Sequence, residues 1–80
     1  MSNPRSRSDD LRSQIHDALY GALIDKIRRD NYPSPTMMNT VEAIMDDEHL
    51  GDYADVLLTK IENDQFPSTD MVRRLRALAQ

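Results

Sequence analysis

The chain has no cysteine, two glycines and two histidines among its 80 residues, and each scarcity excludes something. Without cysteine there is no disulfide framework and no thiolate metal site. A fold this small must therefore hold by good helix packing, by a partner or by self-association. Gly21 and Gly51 stand thirty residues apart, so no glycine-rich loop exists to cradle a phosphate. His16 and His49 have no second histidine or cysteine at ligand spacing, and no zinc pattern results. No run approaches the roughly 18 apolar residues of a membrane span. The polar start, Met1 to Ser8, is followed by no apolar stretch of signal-peptide length. These absences lead to the expectation of one small domain in the cytoplasm, with no cofactor, no metal and no membrane contact.

Basic charge is also missing where it would matter for nucleic acid. Residues 31–70 carry one base, Lys60, against nine acids, although the net charge of the chain is only −4. The bases lie at the ends, with Arg73, Arg74 and Arg76 in the last ten residues. A broad nucleic-acid footprint needs clustered positive charge, so the acidic middle disfavours one. It suits a basic partner or head-to-tail association.

What the chain does have is repetition. Lys26-Ile27 stands five residues before Tyr32-Pro33-Ser34, and Lys60-Ile61 stands five before Phe66-Pro67-Ser68, at an offset of 34. The register pairs Leu23 with Leu57, Ile24 with Leu58, Asp30 with Asp64, Met37 with Met71, Met38 with Val72 and Val41 with Leu75. One supersecondary unit used twice is the direct reading.

Apolar spacing of three and four predicts helices throughout. Leu11, Ile15, Ala18, Leu19, Ala22, Leu23 and Ile27 form one stripe, opened by Asp9 or Asp10 as a cap. Gly21 within it either allows a close helix approach or has no role. Tyr32-Pro33 ends that helix, because proline cannot extend it and restricts the residue before it. Ser34 caps a second helix with Pro35 at its first position and Met37, Met38, Val41, Ile44 and Met45 on one face. A third helix starts near Asp47, or later behind Gly51 with Asp52 as cap, and carries Leu50, Tyr53, Ala54, Leu57, Leu58 and Ile61. Ser68 caps a fourth, with Met71, Val72, Leu75 and Leu78 buried and the arginines on the opposite side. The expected fold is all-α: two tandem αα-hairpins, about 10–46 and 47–80, forming a small antiparallel bundle behind a disordered tail of residues 1–8.

Little in the sequence supports catalysis. The serines are caps or tail residues apart from Ser13, so no nucleophile, base and orienting acid can be assembled, and four short helices leave little room for a cleft. The acidic run Asp46-Asp47-Glu48-His49 with Asp52 and Asp55 fails as a calcium loop. Leu50 stands at a ligand position, and Leu57 stands where a bidentate glutamate belongs. His16 aligns with Leu50 in the repeat and is expected at the edge of the core.

The Tyr-Pro-Ser and Phe-Pro-Ser breaks have two readings. One is structural: helix stop, aromatic plug and serine cap. The other is a paired aromatic-proline surface for a partner. The structural reading has the stronger claim, since cap and proline already have physical roles. Methionines at helical spacing usually fill cores, but Met37 and Met38 point about 100° apart and cannot both face inward. The candidate partner-binding residues are therefore Tyr32, Met38, Phe66, Arg73, Arg74 and Arg76. A protein partner leads. A helical DNA-binding domain using the arginine-bearing last helix is the alternative. The apolar stripes are wider than one partner helix can cover, which predicts a symmetric homodimer.

The 34-residue period resembles a tetratricopeptide array, but the consensus Trp, Gly and paired small residues are missing, and two units are too few for a solenoid. The doubled pattern Lys26-Ile27…Asp30-Asn31-Tyr32-Pro33-Ser34…Met37 and Lys60-Ile61…Asp64-Gln65-Phe66-Pro67-Ser68…Met71 is similar to small helical proteins of actinobacteria and their bacteriophages. A phage-encoded accessory factor that binds a host or virion protein is the expected setting, while the resemblance itself implies origin and fold only. It implies no activity.

Overall fold

The computed structural model describes residues 4–80. Four helices are seen: α1 (Pro4–Arg29), α2 (Pro35–Ile44), α3 (Asp47–Asn63) and α4 (Thr69–Leu78). Among the described residues there is no strand, and the protein is all-α. It divides into two compact units, Met1–Ile44 and Met45–Gln80. In the first, α1 packs on α2; in the second, α3 packs on α4.

Local chemistry sets the helix boundaries. α1 stops at Arg29, where the Asp30 amide still donates to the Lys26 carbonyl at 3.0 Å. Asp64 repeats this with Lys60 at 3.1 Å. The Met37 amide donates to Ser34 Oγ at 3.4 Å, and the Met71 amide to Ser68 Oγ at 3.3 Å. Each bond satisfies one of the free donors at a helix start. α3 is capped by Asp46, whose Oδ1 accepts from the His49 amide at 3.1 Å. The later start behind Gly51 is therefore excluded. Adding a Cβ at Gly21 or Gly51 would meet nothing within 4 Å, so neither glycine serves a close approach.

α1 departs most from expectation. It begins at Pro4, so residues 4–8 of the expected tail are helical and Asp9 and Asp10 lie inside the helix rather than at its cap. Residues 1–3 of that tail lie outside the described residues. Proline at a first helical position has its φ preset and loses no intrahelical bond. Every residue from Arg7 to Leu19 is exposed, including Leu11, Ile15 and His16. His16 is thus not at a core edge.

The cores are small. The first unit buries Tyr20, Ile24 and Ile27 of α1 against Met38 and Val41 of α2. The second buries Tyr53, Val56 and Leu57 of α3 against Met71 and Arg74 of α4. Val72, expected inside, is 45% exposed, and Leu58 is 44% exposed. Arg74, expected on the solvent side, is 9% exposed. These three departures share one cause. The breaks recur every 34 residues, but four pairs of buried side chains stand 33 apart: Tyr20 with Tyr53, Ile24 with Leu57, Met38 with Met71 and Val41 with Arg74, while Ile27 and Val56 have no buried counterpart at that offset. One residue is about 100° of helix rotation. At the 34 register Ala54 would occupy the place of Tyr20. Turning α3 by one residue buries a tyrosine instead, which removes far more apolar surface from water. The same turn in α4 exposes Val72 and draws Arg74 inward.

Candidate interaction surface

The two breaks share their stereochemistry. The Tyr32 amide donates to Asp30 Oδ1 at 3.4 Å, and the Phe66 amide to Asp64 Oδ1 at 3.2 Å. An aspartate that hydrogen-bonds the backbone two residues on mimics a turn and fixes the chain there. Proline follows with its preset φ, and the capping serine starts the next helix. Each aromatic residue is thus held between two anchored points. Tyr32 and Phe66 are each 82% exposed. The expected aromatic plug is overturned: neither ring closes a core. Serine cap and helix stop hold, and the rings themselves stand in solvent.

The other candidates fare differently. Met38 is 2% exposed within the first unit's core and offers no surface. Arg74 Nε donates to Asp70 Oδ2 at 2.7 Å, and Arg73 Nη2 pairs with Oδ1 of the same carboxylate. The Asp70 carboxyl is held below its usual range, first by its hydrogen bond from Arg74 and then by that from Arg73. No buried side-chain polar atom among the described residues lacks a partner, so the buried guanidinium is accommodated. Of the three arginines, Arg73 and Arg76 remain at the surface, and Arg73 already shares Asp70.

Sequence reasoning foresaw apolar stripes too wide for one partner helix to cover, but expected Leu11, Ile15 and Leu19 on the same stripe as Ile27. Leu11, Ile15 and Leu19 lie roughly 150° around α1 from the buried Tyr20, Ile24 and Ile27. The helix therefore carries two apolar faces, and projecting its residues on a wheel would have separated them. Leu58 and Val72 are exposed because their unit is turned by one residue, which no periodicity encodes. Among the described residues no three His, Asp or Glu side chains gather into a group able to hold a metal ion. None of the described helices is long and apolar enough to cross a membrane.

Comparison with known protein families, with curated proteins and with solved structures finds no match.

Proposed function

We propose that this chain is a non-enzymatic protein-interaction module whose contact elements are the two Asp-x-aromatic-Pro-Ser tips. In this reading one αα-hairpin is used twice. The single observation that carries the reading is the 82% exposure of both Tyr32 and Phe66 on turns pinned by Asp30 and Asp64. Aromatic side chains are costly to leave in water and are enriched at the centres of protein interfaces. A residue whose backbone is already fixed loses less entropy on binding. The setting that goes with the sequence resemblance is an accessory factor encoded by a phage and acting in the host cytoplasm on a host or virion protein.

The alternative, duplex DNA binding by α4, is weakened by the burial of Arg74 and by the carboxylate that Arg73 shares with it. Immobilised wild-type chain and a Tyr32→Ala/Phe66→Ala variant, both first verified as folded by circular dichroism, test the proposal in extract of the native host. A protein retained by the wild type and lost by the variant is the expected outcome. Equal retention by both removes the tips from the function. Duplex binding in a low-salt gel shift, weakening steeply with salt, would reverse the order of the two readings.

A further inference from the structure

α1 is longer than the helix that covers it. Its 26 residues span about 39 Å, whereas the ten residues of α2 span about 15 Å. Within the first unit α2 can therefore flank only part of α1. From Arg7 onward, burial on α1 begins at Tyr20 and continues through Ile24 and Ile27. Residues 7–19 are all exposed. Intrinsic propensity does not replace the missing packing. Seven of these thirteen residues are Ser, Asp, Ile or His, from the weaker half of the helix scale. The first turn of α1 has no acidic residue and includes Arg7, whose charge opposes the positive end of the helix. Gly21 stands one residue past Tyr20, with open space where a Cβ would lie. It lowers helix propagation where the packing ends, and no neighbour requires it.

We infer that residues 7–19 open from helix to coil independently of the core, while Tyr20, Ile24 and Ile27 stay packed on α2. Helices in proteins draw most of their stability from tertiary packing of one face, and a segment of this length without it is marginal in water. Local openings cost almost nothing at uncovered ends and approach the global free energy only in the core. The opening has a consequence for the surface. Leu11, Ile15 and Leu19, four residues apart, share a face only while the backbone is helical. The helix–coil equilibrium thus assembles and disperses that apolar face, on the order of a microsecond or less per event. The Tyr32 tip lies beyond the far end of α1 and takes no part in this opening. The first unit therefore carries one constant and one conditional apolar surface.

Native-state hydrogen exchange of the full chain, resolved by residue with NMR, reads the opening. Amide protection over residues 11–19 is expected to be at least about tenfold lower than at Ile24 and Ile27. A smaller difference between the two halves of α1 overturns the inference. Ser13→Pro supplies a second reading on the same amides. Proline inside a helix removes a backbone bond and clashes with the carbonyl four residues earlier, so it breaks the helix ahead of itself. If the first half of α1 opens on its own, the break is confined there, and protection at Ile24 and Ile27 is expected to stay within about threefold of the wild type. A larger loss at Ile24 and Ile27 would show that α1 opens as one piece, and it overturns the inference.

Discussion

At the first break Asp30, Tyr32 and Ser34 make the hydrogen bonds that Asp64, Phe66 and Ser68 make at the second. Behind the breaks the two helix pairs diverge. The first fills its core with Tyr20, Ile24, Ile27, Met38 and Val41, all apolar. At the matching positions the second has Ala54, Leu58, Ile61, Val72 and Leu75, an equally apolar set, yet it buries Tyr53, Val56, Leu57, Met71 and Arg74. A break is settled by a handful of neighbouring atoms. The choice of buried face is settled by which rotation removes most apolar surface, and a single Tyr-for-Ala difference is enough to tip it. Arg74 is the by-product, tolerated because Asp70, one turn earlier, supplies its counter-charge.

The sharpest way to break this comparison is to truncate matched positions. Ile24→Ala is expected to cost about 2–4 kcal/mol, whereas Leu58→Ala is expected to cost less than about 1 kcal/mol. Urea denaturation followed by circular dichroism reads both. Equal costs would mean that the second pair uses the same face as the first.

Arg74→Leu puts an apolar side chain where the first pair has Val41. Replacing a buried, paired charge by a hydrophobe of similar volume is typically neutral or stabilising by up to about 4 kcal/mol. It also removes the chief cause of the lowered Asp70 pKa. A depressed carboxyl contributes stability that is complete above its ordinary value of 3.8 and is lost as pH falls through the depressed value. Melting between pH 5 and about pH 2 is therefore expected to fall less steeply in Arg74→Leu than in the wild type. An unchanged acid slope would show that the Asp70 pairing has no effect on stability.

The smallest effects should be the most alike. Ser34→Ala and Ser68→Ala are each expected to cost about 1 kcal/mol, because both remove an N-cap acceptor of the same geometry. Unequal losses in thermal melts would show that only one break depends on its serine.

The division between what was and was not legible follows the range of the interactions. Ser34-Pro35, Ser68 and the stops at Tyr32-Pro33 and Phe66-Pro67 were readable because caps and prolines act over three or four residues. The start of α1 was missed, though its signal was present: Pro4 offers the same first-position proline as Pro35. The buried face of α3 and α4 was misread at Leu58, Val72 and Arg74, since adjacent apolar residues give two overlapping stripes of nearly equal merit. At the candidate surface, Tyr32 and Phe66 were picked out with two readings open, and their 82% exposure fits the surface reading and not the plug that was given the stronger claim. The residue types allow plug and knob alike, and only packing decides. Met38 was nominated on the same ambiguity and lies in the core.

The connections 30–34 and 64–68, five residues each, join helices that pack on their immediate neighbours in the chain. Short loops of this kind close in well under a microsecond, on the order of tens of nanoseconds. Helical proteins dominated by such local pairings fold in about microseconds to milliseconds. After local opening, a helix pair would therefore re-form long before a typical encounter with another macromolecule ends. Temperature-jump relaxation would resolve that rate directly. It also means that the ring at each tip is presented again as soon as its two helices meet.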